Sequence, residues 1–394
     1  MAKQLRILTL NSISHEGLKL LPGERYAVDS KMEDPDAILV RSQDMHKMTI
    51  ARSILAIGRA GAGTNNIPVA AMSQRGVPVF NAPGANANAV KELVLAGMLM
   101  AARNLVPAAR FVEGLRGVEG DLNKTVEDNK KHYAGIELPH RTLGVIGLGR
   151  IGSLVADAGI KLGMQVLGFD PDISVDAAWS LPSQVKKAHS IEEVLRASEF
   201  VTIHVPLVPA TRRLIDAKRL ELMKHGAVLL NFAREEIVDD AAVVEALAQK
   251  RLRAYVCDFP SAALLGNPQV VALPHLGAST KEAEDNCAVM VVNQVRDYLE
   301  EGSVRNAVNF PDVVMERESP YRLAIANANV PNMLGQISTT LAAASLNIHN
   351  MINKSKGEMA YTVVDVDSAP PAAVTDQLRG IQGVLAVRYL PAGR

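Results

Sequence analysis

With 394 residues the chain is long enough for about two or three domains, each burying its own core, and its two cysteines, Cys257 and Cys287, exclude a disulfide-stapled scaffold. Forty-two basic residues balance forty-two acidic ones and aromatics make up only 4%, which leaves neither a basic field nor a stacking platform for nucleic acid. The first residues reach charge too early for a signal peptide and no apolar run is long enough to span a bilayer, so the expectation is a soluble cytoplasmic protein, with buried reduced thiols and small molecules or its own copies as partners.

In chain order, β-rich runs at 6–10, 37–41, 55–59 and 78–81 alternate with helical stretches and predict a parallel α/β layer. Residues 86–104 are apolar nearly all round (Val90, Leu93, Val94, Met98, Leu99), which a helix sustains only when packed between other elements, so a buried connecting helix is expected. A second α/β series begins at Thr142, with strands expected at 143–147, 165–170, 200–205, 227–232, 254–258 and 270–273. Six strands with helical spacers fit a doubly wound sheet. The segment 281–301 is strongly helical, with Val291, Val292, Val295 and Leu299 on one stripe, and can carry the chain back to the first domain. After a proline- and charge-bearing connector over 310–320, a smaller module reads strand 322–326, helix 333–343, strands 347–352 and 359–367, helix 373–379 and strand 384–389. That order is the βαββαβ of a ferredoxin-like sandwich.

The most specific local signal is Gly147-Leu148-Gly149-Arg150-Ile151-Gly152, set between the run Leu143-Gly144-Val145-Ile146 and a helical stretch. Gly147 allows a tight turn, Gly149 lets backbone N–H groups approach a pyrophosphate, and Gly152 lets helix and strand pack closely, while the helix N-terminus contributes positive potential. Asp170 follows eighteen residues after Gly152 at the end of the next strand, where a carboxylate accepts hydrogen bonds from ribose hydroxyls and repels a 2′-phosphate, favouring NAD over NADP. The alternative, a chance glycine cluster in a sharp turn, does not explain strand, helix and acid together. A second glycine group, Gly58 to Gly63, lacks dinucleotide spacing; it reads either as a flexible turn or as a nest of N–H groups for a substrate carboxylate beside Arg59.

Two further residues stand at expected strand ends, where open α/β sheets place their ligands. Arg234, after Asn231-Phe232-Ala233, offers a planar fork for a carboxylate or is a plain surface arginine. His275, in Leu273-Pro274-His275-Leu276-Gly277, offers a group that exchanges protons near neutral pH or is a hydrogen-bonded loop histidine. No nucleophile elbow and no metal-ligand spacing is present in the sequence, so no metal is expected.

Over essentially its whole length the chain resembles the D-isomer-specific 2-hydroxyacid dehydrogenases. The matching text is Arg41-Ser42-Gln43, RAGAGTNNI from Arg59, NAPGANANAVKELV from Asn81, TLGVIGLGRIG from Thr142, HVPL from His204, NFAREEIVD from Asn231, YVCDFP from Tyr255 and LPHLGAST from Leu273. With its last module the chain is similar to the short bacterial branch that carries an ACT domain and acts on 3-phosphoglycerate. The resemblance implies a flavodoxin-like substrate domain made of residues 1–88 and 275–310, an inserted Rossmann NAD domain at 89–274, and an ACT domain at 320–394. It makes His275 the acid/base for the C2 hydroxyl and Arg234 the group that grips and polarises the substrate.

For NAD the resemblance implies contacts from the turn residues Gly147, Gly149, Arg150, Ile151 and Gly152, with Asp170 on the ribose. His204 and Val205, at the end of the third strand expected in that domain, with Pro206 and Thr211 just beyond, and Ala233 and Gly277 are further implied contacts, and Asp258 would contact the nicotinamide carboxamide, although a one-residue shift would put Cys257 there instead. Substrate contacts implied are Arg41, Ser42, Arg59, Gly61, Ala62, Gly63 and Asn86. In the ACT module Asn329 and Asn347 match positions that bind amino acids, often L-serine, although Asn327 and Asn332 replace a common His and Gly. The implied activity is NAD-dependent oxidation of 3-phosphoglycerate, which opens the phosphorylated route to L-serine, in a homodimer or homotetramer. Two other readings are another D-2-hydroxyacid dehydrogenase acting on glyoxylate, hydroxypyruvate or 2-oxoglutarate, and a non-catalytic NAD-responsive binding protein.

One departure concerns the chemistry. Where the family places a Glu that pairs with its His, this chain reads Ser261-Ala262-Ala263, and Glu235 stands where Gly usually follows the catalytic Arg. Either Glu235, Glu236 or Glu282 takes over the pairing, or His275 works unpaired.

Overall fold

The structure, a computed structural model, describes residues 4–392. Five short parallel strands open the chain: β1 (Leu5–Leu10), β2 (Tyr26–Asp29), β3 (Ala37–Val40), β4 (Ala56–Arg59) and β5 (Val79–Phe80), side by side as β2-β1-β3-β4-β5. This is the flavodoxin-like order, and its direction reverses between β1 and β3. Residues of β3 and β5 are buried throughout, as strands covered on both faces must be. Sequence reasoning misses β2 because Tyr26-Ala27-Val28-Asp29 is a four-residue edge strand with one fully buried side chain and charged flanks.

Helix α1 (Ala87–Ala102) then buries Val90, Val94, Met98 and Ala102, in keeping with its apolar circumference. The strands that follow are β6 (Thr142–Ile146), β7 (Gln165–Phe169), β8 (Lys186–Lys187), β9 (Phe200–Ile203), β10 (Ala227–Asn231), β11 (Leu252–Cys257) and β12 (Val270–Ala272). They form a parallel sheet in the order β12-β11-β10-β9-β6-β7-β8, a doubly wound sheet whose direction reverses between β6 and β9. It has seven strands rather than the six expected, because β8 is two exposed lysines at the sheet edge and carries no apolar signal. Helix α2 (Arg150–Lys161) and α1 pack against one face through Val155, Ala156, Met98 and Val228, and a second core including Ile203, Leu229, Val243 and Leu247 covers the other.

Helix α3 (Lys281–Glu301) matches its expected bounds. Beyond it come β13 (Tyr321–Ala328), α4 (Met333–Ala343), β14 (Ile348–Lys356), β15 (Met359–Val366), α5 (Ala372–Gly380) and β16 (Val384–Pro391), with the antiparallel order β14-β15-β13-β16. This is the ferredoxin-like sandwich. Strand β14 runs four residues beyond expectation because Asn353-Lys354-Ser355-Lys356, polar throughout, still pairs with β15 across a turn at Gly357.

The chain forms two compact units, one made of the residues up to Asn86 with those from Lys281 onward, the other Ala87–Thr280. Within the first, one core joins Ile7, Leu39 and Phe80 of the opening sheet to Val291, Val295 and Tyr298 of α3 and to Tyr361 and Leu390 of the small sheet. Arg322 and Asp365, 1% and 0% exposed, lock that junction: Nε and Nη2 donate to the carboxylate at 2.7 and 2.9 Å, and the guanidinium also caps the carbonyls of Met315 and Glu316. Burial alone would raise the Asp365 carboxyl, but the hydrogen bonds from Arg322 and the Glu318 N–H hold it below its ordinary value. Among the described residues no helix is long and apolar enough to cross a membrane.

Candidate active site

The glycine turn follows β6, at the carboxyl edge of the second sheet and at its switch point. A methyl at Gly152 would lie 1.9 Å from the carbonyl oxygen of Gly147, so only glycine lets α2 start this close to the strand. A methyl at Gly149 would meet nothing within 4 Å: that face of the turn is open. No side chain caps the first turn of α2, which leaves the N–H groups at Arg150 and Ile151 directed outward for an anion. Asp170 stands just past β7 and accepts the N–H groups of Leu148 (2.8 Å) and Asp172 (3.0 Å), tying its carboxylate to the turn. These features fit a dinucleotide pyrophosphate and ribose.

His204 and Val205 follow β9 beside this turn. His204 Nε2 is hydrogen-bonded to Thr202 Oγ1 at 2.9 Å, and its buried Nδ1 has no partner. Burial pushes the imidazole down to about 3, so it is neutral at physiological pH. Thr211 Oγ1 accepts the Val208 N–H at 2.9 Å and donates to the Pro206 carbonyl at 2.6 Å, closing the loop after β9.

Three more strand ends bring further candidate residues to the same edge. Arg234 follows β10; Asn231 Nδ2 donates to its carbonyl at 2.8 Å, and its own Nη1 donates to the Ala233 carbonyl at 2.6 Å. The guanidinium is exposed and makes no ion pair among the described residues, so the donors not held by the Ala233 carbonyl are available. Asp258 follows β11 and is 1% exposed. Its two carboxylate oxygens accept the N–H groups of Leu276 (2.7 Å) and Gly277 (2.8 Å), and its carbonyl accepts that of His275 (3.0 Å). Burial pushes its carboxyl up even against those bonds. Asp258 is therefore the fastener of the His275 loop, a role that sequence reasoning did not assign. Neighbouring Cys257 instead points inward, 0% exposed, its thiol donating to the Phe259 carbonyl and pushed up to about 11 by burial. Of the two neighbours it is Asp258, and not Cys257, that bonds to the His275 loop.

His275 itself is exposed, holds φ +56° and packs its ring on Phe259 with centroids 4.9 Å apart. Among the described residues no carboxylate hydrogen-bonds to its ring. Glu236 lies 3.9 Å from Arg212 instead, and Glu235 opens a short 3-10 turn. The ring contact that the described residues do supply to His275 is Phe259.

In the first unit the expected substrate residues follow β3 and β4. Arg41 is paired with Glu284 of α3 at 2.6 Å, and the Ser42 N–H donates to Asn11 Oδ1 at 3.1 Å. Past Arg59, Gly61 has φ +151° and donates to the Arg59 carbonyl. The next two N–H groups, of Ala62 and Gly63, donate to no described residue, and a pair of successive free N–H groups is what a carboxylate nest requires. Asn86 closes this part of the unit.

Residues 95–277 match the family described as D-isomer specific 2-hydroxyacid dehydrogenase, NAD binding domain. The D-3-phosphoglycerate dehydrogenase of Haemophilus influenzae is 33% identical over 352 residues, 86% of this chain and 82% of that one. The chain belongs to the D-isomer-specific 2-hydroxyacid dehydrogenase family. The D-3-phosphoglycerate dehydrogenase of Methanocaldococcus jannaschii is 35% identical over 348 residues, which is 85% of this chain but 62% of that longer protein. Among solved structures, the TT0316 protein of Thermus thermophilus superposes with a TM-score of 0.65 at 27% identity, covering 77% of this chain and 100% of that one. Membership in the 2-hydroxyacid dehydrogenase family makes the chain an NAD-dependent oxidoreductase.

In the small module, Asn329 Nδ2 donates to the Gly357 carbonyl at 3.1 Å, and Asn347 is joined to Asp367 through its backbone. Asn332 holds φ +62°, a left-handed conformation that Asn adopts at lower cost than most residues other than Gly.

Proposed function

We propose that the chain oxidises 3-phosphoglycerate to 3-phosphohydroxypyruvate with NAD, the first step of the phosphorylated route to L-serine. The observation that carries this reading is the convergence of an open fork at Arg234, a fastened His275 loop and a dinucleotide turn on one carboxyl edge of one sheet. The substrate is favoured by relatives at 33% and 35% identity that are named D-3-phosphoglycerate dehydrogenases.

Bound NAD supplies the acceptor for the hydride leaving C2. The uncapped first turn of α2 and Asp170 hold the cofactor's pyrophosphate and ribose. Arg234 binds the substrate carboxylate through two parallel N–H bonds and polarises the C2 oxygen, and within the first unit the successive N–H groups of Ala62 and Gly63 form a nest of the kind that accepts a carboxylate. The His275 imidazole removes the C2 hydroxyl proton in oxidation and returns it in reduction. Phe259 sets the ring's orientation by packing, so His275 works without a carboxylate partner from its own unit. On the same reading the enzyme is a cytoplasmic homodimer or homotetramer, and L-serine binds the small module near Asn329 and Asn347.

The test is a reductive assay in which NADH consumption is followed with 3-phosphohydroxypyruvate, glyoxylate, hydroxypyruvate and 2-oxoglutarate. The expected result is a kcat/KM for the phosphorylated substrate well above the others. Preference for an unphosphorylated oxo acid moves the enzyme within its family, and NADH binding without turnover of any substrate overturns the catalytic reading.

A further inference from the structure

An open groove of about 490 Å³ lies within the first unit, lined by residues after β5, by the segment 306–312 and by the end of β14. Its walls are fixed by hydrogen bonds. Ala307 bridges antiparallel to Phe80, the Val308 N–H donates to the Val79 carbonyl, and Lys356 Nζ donates to the Ala307 carbonyl at 2.9 Å. Asn306, at φ +55°, is held by its N–H on Asp312 Oδ1 at 2.8 Å. Lys354, two residues before Lys356 and on the same side of the strand, also lines the groove and makes no ion pair among the described residues. The one carboxylate in the lining, Asp312, is already engaged with backbone, so the groove is lined by two lysines and two asparagines, with Lys356 and Asn81 fixed in place by their bonds to the Ala307 and Ala62 carbonyls.

We infer that this groove binds a small multivalent oxyanion, a phosphate ester or a polycarboxylate, and that its occupant tunes the substrate nest. Asn81 makes the connection. Its N–H reaches the Asn306 carbonyl on the groove side, its Nδ2 donates to the Ala62 carbonyl at 2.5 Å, and the following residue, Ala82, donates to the Gly61 carbonyl at 2.9 Å. One groove residue, Asn81, and its neighbour Ala82 are thus hydrogen-bonded to the two peptides that shape the nest. An anion that fixes Asn81 fixes the nest, and by linkage a carboxylate in the nest strengthens anion binding by the same factor. Binding in the groove stands apart from the dehydrogenase reading; only its effect on substrate affinity rests on it.

The experiment is hydrogen exchange on the full chain with inorganic phosphate, against potassium chloride at matched ionic strength, repeated with citrate to separate phosphate from polycarboxylate recognition. Slowed exchange is expected in peptides covering 79–84, 305–313 and 352–357, and Lys354→Gln raises the half-saturating concentration roughly tenfold while Lys354→Arg restores it. A kinetic arm expects phosphate to change KM for the oxo acid, with a component that Lys354→Gln removes and no change in kcat. Absence of protection in the last two segments, or an equal half-saturation in Lys354→Gln, overturns the site. Protection without any Lys354-dependent change in KM overturns the coupling and leaves binding intact. Exchange tests the groove even in a chain without dehydrogenase activity, because it reads anion binding and not turnover.

Discussion

Replacing Asp258 by Asn changes a single atom at the fastener of the His275 loop. In the native loop both carboxylate oxygens accept backbone N–H groups, from Leu276 at 2.7 Å and Gly277 at 2.8 Å. The Asn side chain keeps one acceptor and turns an NH₂ group toward the other donor. An orphaned buried N–H costs about 1–3 kcal/mol, and the surviving bond loses its charge assistance and about half its strength. Relief of the buried charge, which already pushes the Asp258 carboxyl up, offsets part of this. The net loosening is about 1–3 kcal/mol, in a loop that holds His275 in a left-handed conformation itself costing about 1–2 kcal/mol. At about 1.4 kcal/mol per decade, kcat/KM for 3-phosphohydroxypyruvate is expected to fall by about 5- to 150-fold. ADP-ribose, which lacks the nicotinamide and engages only the glycine turn and Asp170, should bind Asp258→Asn with its native affinity by calorimetry. Native kcat/KM in the variant, or a matching loss of ADP-ribose affinity, would refute the fastener role.

Arg234→Lys keeps the charge but loses the fork; because the Arg234 guanidinium is exposed and makes no ion pair among the described residues, the urea midpoint should stay put while kcat/KM drops by roughly tenfold or more. A shifted midpoint would mean that Arg234 supports the fold instead. His204 is depressed from 6.5 to about 3 by burial, so its neutral form is the one that the fold accepts. The stability this permits is present above about pH 6.5 and is lost progressively as pH falls toward 3; His204→Asn should therefore flatten the acid limb of unfolding free energy against pH, and an unchanged slope would count against burial of the ring. Asp365→Ala strands Arg322 in the junction of the small module and should cost about 3–5 kcal/mol in urea unfolding, part of it regained when Arg322 is also changed to Met. Native stability of the single variant would show that the pair does not hold the junction.

Most of the architecture was legible because its signals are periodic. Helix α3 has an apolar stripe at helical spacing over Val291, Val292, Val295 and Leu299, and its ends fell where expected. The two missed strands, β2 and β8, carry no such pattern, β2 being a four-residue edge with one fully buried side chain and β8 a pair of exposed lysines. The glycine turn could be read because Gly147, at φ +93°, and Gly152, 1.9 Å from the Gly147 carbonyl oxygen were it to carry a methyl, answer steric demands that the sequence spacing encodes. The His275 loop could not be read in full. A carboxylate bonded to backbone N–H groups eighteen and nineteen residues on leaves no local signature, so the sequence showed Asp258 as a motif position and not as a fastener. The sequence likewise showed that a carboxylate was missing near His275 but not that Phe259 would pack there, since that contact depends on the bend after β11. The Arg41–Glu284 pair needed the fold as well, because it joins residues 243 positions apart.

The most direct measurement compares native chain and His275→Ala in NADH oxidation by 3-phosphohydroxypyruvate, with NADH affinity determined in parallel by fluorescence. The predicted result is turnover by the native chain that falls about 10²- to 10⁴-fold in the variant, with NADH binding retained. Turnover unaffected by loss of the imidazole, or none in the native chain despite tight NADH binding, would contradict it.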